Sequence, residues 1–343
     1  KNFYTEFKFV VVTFYNSGRY LSEVKSIPGI TYFCLNAESG NTFSFVFRLR
    51  KIIREERPFK ILSFLYYPNI VTFLSLIFIN IPFILSERSN HRQYLTSSFK
   101  HRVWKFLLGK AYRIASYVIT VSEESRRFII DDFKVSGGKI IPIPNGISFS
   151  LLDELKNEKI TEFNFNKDIK YILAVGNLSK AKNYPLLLES FNILLNRRKN
   201  INLIILGKGE MEAELKKQAE SLGISDFVNF LGYVDNPYKF MAASTCYVLS
   251  SKWEGFPNSL IEAMYVNGHV VSTNCPTGPS EIITDGVDGI LCEPDNPHQL
   301  ARAIERMCFD NEFRSFVFAN SRRKIINFSE NKMIEKYREL LLK

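Results

Sequence analysis

The pattern of apolar and polar positions divides the chain into two kinds of segment. Short, largely apolar runs at 8–15 (KFVVVTFY), 60–67 (KILSFLYY), 82–87 (PFILSE) and 117–122 (YVITVS) predict strands buried on both faces, because a strand with one wet face alternates instead. Between them lie stretches with helical apolar spacing. One is 44–58 (SFVFRLRKIIREERP), which stops at Pro58; another is the basic amphipathic segment 97–116 (SSFKHRVWKFLLGKAYRIAS). A last strand, 139–147 (KIIPIPNGI), closes on a Pro-Asn-Gly turn. The polar, charged stretch 153–168 then predicts a linker. After it the alternation restarts, with strands at 171–177, 201–209, 228–234, 246–251 and 268–274 and helices at 183–198, at 211–223 and after the WEGFPNS turn. Strands alternating with helices mean parallel sheets with right-handed crossovers. The expected fold class is therefore α/β, with two Rossmann-like domains facing each other across a cleft. The expected boundaries are 1–150, a linker at 151–168, and 169–343, whose last helix is placed to pack back on the first domain.

Ile61–Leu85 carries no formal charge and is long enough to span a bilayer. Pro68, Asn69, Asn80 and Pro82 interrupt it, which favours two buried strands around a short helix. Charge adds an asymmetry. Residues 1–150 hold 21 Lys and Arg against 10 Asp and Glu, whereas 151–343 hold 24 against 25. The excess positive charge of the chain sits in its first half, which points to an anionic partner there. No helix-turn-helix, zinc or RNA-recognition pattern supports nucleic acid as that partner. An anionic membrane surface fits better, since Phe, Trp and Leu interleave with the cations of 97–116, although a helix packed on the sheet with a solvated basic face gives the same pattern. The five cysteines show no CxxC spacing and predict reduced thiols in a cytoplasmic protein.

Ligands of open α/β sheets sit outside the carboxyl ends of the strands. In the second half those ends lead into NLSKAKN, KGE, KWEGFPNS and CPTGPSE. In 253–264 (WEGFPNSLIEAM), Glu254 and Glu262 stand eight apart around a turn and a helix start near Ser259. Ser259-x-x-Glu262 reads as a capping box. Glu262 also reads as an acceptor for two ribose hydroxyls, with Glu254 beside the hydroxyls of a nucleotide-sugar and helix amides at its diphosphate. The two readings are compatible. Lys182 precedes a helix and is suited to neutralise phosphate charge, with Lys180 and Lys208 as further candidates. Gly278 and Pro279 precede another helix start, with Ser280 as its expected N-cap.

VGNLSKAKNYPLLLESF, LGKGE, NFLGYVDNPYKFMAAS, SSKWEGFPNSLIEAM and CPTGPSEIITDGVDGILCEPDNP, in this order, resemble glycosyltransferase family 4, of the GT-B fold. RIASYVITVSEESRRFII and KIIPIPNGI resemble it more loosely, and SERSN (86–90) is similar to a subgroup that moves hexoses or N-acetylhexosamines. The resemblance implies that Glu262 holds the donor ribose, and that Glu254 with the backbone of Gly255, Phe256, Pro257 and Asn258 holds the donor sugar. It implies that Lys182 grips the diphosphate, that 231–236, including Tyr233 and Val234, lines the nucleobase, and that Ser259, Gly207, Gly278 and Pro279 lie around the donor. His91, after SERSN, is the candidate of its half for the catalytic cleft. No metal or other cofactor is implied. Two departures stand out: Asn177 occupies the place of a family arginine, and the first clear strand resembles the family's second, so the expectation is that the first strand and its Gly-rich loop have no counterpart in the sequence given. The expectation is a retaining transferase. It would move a hexose or N-acetylhexosamine from a nucleotide-sugar, with UDP as the expected nucleotide, to a lipid-linked glycan acceptor in surface polysaccharide assembly, and act at the inner face of the plasma membrane. A donor-binding remnant without turnover is the alternative.

Overall fold

The computed structural model describes residues 6–18, 20–37, 41–88, 92 and 98–343. They form two compact α/β units. The first takes in residues up to Glu87, then 92, 98–119 and Ile130–Ile141; the second takes in Arg88, Thr120–Ile129 and Pro142–Lys343.

The elements of the N-terminal part are β1 (Val10–Thr13), α1 (Leu21–Ser26), β2 (Thr31–Cys34), α2 (Thr42–Glu56), β3 (Ile61–Phe64), α3 (Tyr66–Ser75), β4 (Phe83–Glu87), α4 (Phe99–Ile114), β5 (Tyr117–Thr120), α5 (Glu123–Phe133) and β6 (Ile140–Pro142). Strands β1 and β2 pair in parallel as a sheet of their own, while β3, β4, β5 and β6 form a second sheet in that order. This corrects one expectation. The 8–15 run is apolar, yet every residue of β1 is only half-buried, because its sheet has two strands. By contrast β4, inside the four-stranded sheet, is buried at every position. The uncharged 61–85 run becomes β3, α3 and β4, and among the described residues no helix is long and apolar enough to cross a membrane. Helix α2 starts on a capping box, with Asn41 and Ser44 each accepting from the other's backbone N–H, and ends on Arg57 in the left-handed region.

The second unit runs α6 (Phe149–Leu155), β7 (Lys170–Val175), α7 (Tyr184–Leu195), β8 (Ile201–Leu206), α8 (Glu212–Ser221), β9 (Val228–Gly232), α9 (Tyr238–Ala243), β10 (Cys246–Leu249), α10 (Asn258–Val266), β11 (Val270–Thr273), α11 (Pro279–Ile282), β12 (Ile290–Cys292), α12 (Pro297–Phe309), α13 (Asn311–Ile325) and α14 (Glu330–Leu342). Six strands form one parallel sheet in the order β12-β11-β10-β7-β8-β9. The central strands β7, β8 and β10 are largely apolar because both of their faces are covered. Ile172, Ala174, Leu203 and Val248 point into a core with Leu187, Phe191, Leu215 and Ile304. Their neighbours Tyr171, Leu173, Ile204 and Leu249 point the other way, onto Phe240, Leu260 and Met264.

The 151–168 segment, expected as a linker, belongs to this packing. Leu152 is buried, and Phe163 and Phe165 meet the Tyr171 ring edge-on at 5.6 and 4.7 Å. Glu162 accepts from the Lys239 ammonium at 2.8 Å. Phe191 is fully buried between α7 and the sheet. Phe191→Ala should therefore cost about 3–5 kcal/mol, read as a lowered urea midpoint by far-UV circular dichroism; a midpoint unchanged from the parent would contradict the packing described.

Candidate functional site

The strand order of the second unit fixes where a ligand can bind. The sheet grows outward in one direction from β7 through β8 and β9, and in the other from β10 through β11 and β12. The chain therefore leaves the adjacent carboxyl ends of β7 and β10 on opposite faces, and the crevice between them is the topological switch point.

Two loops meet there with almost no side chain between them. Gly176 ends β7 at φ 158° and Gly207 ends β8 at φ 147°. A Cβ on Gly207 would overlap the Gly176 carbonyl oxygen, and one on Gly209 would overlap that of Leu178. The loops are tied by Leu178 N–H to the Lys208 carbonyl (3.0 Å) and by Met211 N–H to that of Leu178 (3.0 Å). The β7 loop is also stitched to the β10 loop. Ser250 Oγ donates to the Lys182 carbonyl at 2.9 Å, and Lys252 N–H to that of Ala181 at 2.8 Å.

Across this junction Lys182 Nζ donates to Glu254 Oε1 at 2.6 Å, and Ser251 Oγ donates to the same oxygen at 2.6 Å. Both members of the ion pair are largely buried, Lys182 at 20% and Glu254 at 11% side-chain exposure. Oε1 is thus doubly occupied, while Oε2 has no hydrogen-bond partner among the described residues. The backbone of the loop is held as well: Glu254 N–H donates to the Pro276 carbonyl (2.8 Å), and Thr277 Oγ1 donates to the carbonyls of Glu254 and Gly255 at 2.7 and 2.8 Å. Gly278, at φ 103°, lies so close to Pro257 that a Cβ would stand 2.8 Å from its Cδ. Burial, with the Glu254 charge adding to it, pushes the Tyr184 phenol up, so that hydroxyl stays a donor, to the Gly176 carbonyl at 3.1 Å.

Helix α10 corrects two expectations. It begins at Asn258, with Pro257 at the N-cap and no side chain capping it. The Ser259–Glu262 capping box is absent because the helix starts ahead of Ser259, whose Oγ lies inside the first turn and accepts from the buried Tyr247 hydroxyl at 2.8 Å. Glu262 instead meets the Tyr238 hydroxyl at 3.4 Å. Burial pushes its carboxyl above the ordinary value, and the Tyr238 hydrogen bond only partly opposes this. Ser280 is likewise not a cap, since α11 begins one residue earlier behind Gly278.

Of the other candidates, Lys208 lies over Gly232, where a Cβ would stand 3.5 Å from its Cε. Tyr233, just beyond, is 60% exposed, and Val234 packs inward against Phe240 and its neighbours. Asn177 and Lys180 are exposed. Lys180 and Lys208 make no ion pair among the described residues. Of the SERSN segment, Glu87 is buried and accepts from the Tyr112 hydroxyl at 2.9 Å, a packing role; His91 lies outside the described residues. Among the described residues no cluster of three or more His, Cys, Asp or Glu could hold a metal. Ser251, Thr277, Tyr184, Tyr238 and Tyr247 are supports that the sequence reading missed. Only Tyr184 and Ser251 leave a trace there, by nearness to Lys182 and Glu254; Thr277 and Tyr238 are 23 and 24 residues from the carboxylates they support.

A carboxyl whose folded pKa is raised costs stability once ionised: the cost is absent below the unfolded value and complete above the folded one. Glu262→Gln removes the charge and keeps an acceptor for Tyr238. It should raise the melting temperature at neutral pH, with the gain shrinking as the pH falls through the carboxylate range. Parallel parent and variant curves across pH 3–8 would contradict the strained carboxylate.

The Glycosyltransferase Family 4 model matches residues 6–151, and the Glycosyl transferases group 1 model matches residues 156–330. An uncharacterised glycosyltransferase of Methanocaldococcus jannaschii is 30% identical over 333 residues, covering 86% of this chain and 82% of that protein. A Campylobacter jejuni enzyme named GalNAc-alpha-(1->4)-GalNAc-alpha-(1->3)-diNAcBac-PP-undecaprenol alpha-1,4-N-acetyl-D-galactosaminyltransferase is 28% identical over 320 residues, covering 93% and 84%. In structure the chain is similar to HepE of Anabaena in complex with UDP-glucose, with a TM-score of 0.81 at 19% identity over 97% of this chain and 91% of that one. With one model spanning more than half of its length and a second covering most of the remainder, the chain belongs to the family 4, group 1 glycosyltransferases and has their GT-B fold.

Proposed function

We propose that the chain transfers a hexose or N-acetylhexosamine from a UDP-sugar to a lipid-linked glycan in polysaccharide assembly, with retention of configuration and without a metal. The observation that carries this reading is the doubly held Glu254 carboxylate at the switch point, with Lys182 on one oxygen and the other oxygen turned to no partner. The Campylobacter relative named for a diphospho-undecaprenol acceptor and HepE with UDP-glucose supply the classes of acceptor and donor.

In this reading Glu262, short of donors in its buried position, accepts both ribose hydroxyls, which relieves the cost of its charge. Glu254 Oε2 accepts from the hydroxyls of the donor sugar. The uncapped start of α10 offers amides to the diphosphate. Lys182 shares its ammonium between Glu254 and the diphosphate, whose charge grows as the bond to the anomeric carbon breaks. Asn177 adds no charge there, so Lys182 carries most of the leaving-group stabilisation. The acceptor oxygen bonds to the anomeric carbon on the face the phosphate leaves, and its proton passes to the departing phosphate oxygen. No protein nucleophile is required.

Calorimetry of UDP binding tests the donor site. Glu262→Ala and Lys182→Ala should each weaken binding at least tenfold, about 1.4 kcal/mol. In the same samples the parent should release UDP from a UDP-sugar only when a polyprenyl-diphosphate glycan is present. Binding without release would identify a donor-binding remnant, and no binding by folded protein would end the assignment.

A further inference from the structure

We propose that Asn183 and Asp295 are a pair of positioning residues that hold the Lys182 ammonium where it meets the donor diphosphate; the diphosphate in this proposal rests on the function proposed above. Lys182 ends the 3-10 turn Lys180–Lys182, and Asn183 follows it at φ 49° and ψ 44°, in the left-handed region, where α7 begins. That one residue redirects the chain from the turn into the helix. Glycine takes this conformation at no steric cost, and asparagine less freely. The backbone alone therefore does not account for an asparagine. Capping does not account for it either, since its side chain makes no cap bond to α7. Its amide is used elsewhere: Asn183 is buried, and its Nδ2 donates to Asp295 Oδ1 at 3.0 Å.

Asp295 lies in the turn between β12 and α12 and is itself left-handed, at φ 57°. Strand β12 stands three places from β7 in the sheet, so the contact comes from this turn reaching across the loop ends and not from strand pairing. The same carboxylate oxygen is 3.9 Å from Lys252 Nζ. Lys252 is also the residue whose N–H holds the Ala181 carbonyl, and Ser250 holds that of Lys182. Asp295 thus reaches the residue after Lys182 and the residue that clamps the one before it. The two contacts are unequal. Asp295 and Lys252 are 65% and 45% exposed, so their ion pair adds little. The hydrogen bond from buried Asn183 to a carboxylate is the stronger tether. Among the described residues Lys182 Nζ has Glu254 alone as partner, so neither Asn183 nor Asp295 acts on the ammonium itself. They fix the backbone from which it projects, and a shift of about 1 Å in a positioned group is enough to lose much of its effect.

Calorimetry with UDP, ligand-observed NMR with uridine, and hydrogen–deuterium exchange of residues 179–186 test the pair. Asn183→Gly keeps the left-handed backbone and loses the amide; Asp295→Ala loses the acceptor. Each should weaken UDP binding about fivefold, or ~1 kcal/mol, and leave binding of uridine, which has no phosphate, unchanged. Asp295→Asn keeps an acceptor oxygen and should bind UDP as the parent does. Added to Lys182→Ala, Asp295→Ala should weaken UDP binding no further, because both act through one ammonium. Exchange over 179–186 should quicken in Asn183→Gly and Asp295→Ala at an unchanged melting temperature. Equal losses of UDP and uridine affinity would mark a merely structural role and overturn the proposal. So would parental UDP binding in both variants, a further loss in the Lys182→Ala background, or exchange at the parent's rate. A folded parent that binds no UDP, or a Lys182→Ala variant that binds it normally, would overturn the donor reading and the diphosphate with it; the exchange rates would still decide whether the two side chains hold the turn.

Discussion

An ammonium and a carboxylate held 2.6 Å apart join the two loops that leave the middle of the sheet on opposite sides. Neither group is stable there without the other. Removing one partner from a buried pair costs about 3–5 kcal/mol, moderated here by the remaining exposure of Lys182. Ser251 donates to the same carboxylate oxygen as the lysine, and Thr277 holds the peptide behind it. The geometry of the β7, β10 and β11 loops follows from these few bonds, because each loop contributes one end of one of them.

Much of the architecture could be read from the chain. Strands β7, β8 and β10 are apolar at both parities, so their burial on two faces was legible, and so was their alternation with helices. Composition misled in two places. The charges of 151–168 hid Phe163 and Phe165, whose partner Tyr171 lies in the next strand. The 8–15 run hid the opposite fact, since apolarity does not reveal how many strands a sheet has.

At the site, the positions of Lys182, Glu254 and Glu262 followed from their motifs, but their relations did not. Lys182 and Glu254 are 72 residues apart, and no periodicity connects them. The capping box failed because the helix starts behind Pro257, one residue ahead of Ser259, and so leaves that hydroxyl inside the first turn, where Tyr247 of β10 donates to it. A capping pattern is readable only when the helix start is known to the residue, and a turn through proline shifts that start by one position.

The contact between the Gly176 carbonyl and Gly207 has a bearing on engineering. Two main chains touching at this point form a floor that cannot be remodelled by mutation, since every side chain at 207 displaces the peptide beneath it. Libraries aimed at altered selectivity gain nothing from randomising 176, 207 or 209. Variation has room only along the rim, at residues such as Tyr233 and Lys208, whose side chains already stand clear of the packed interior.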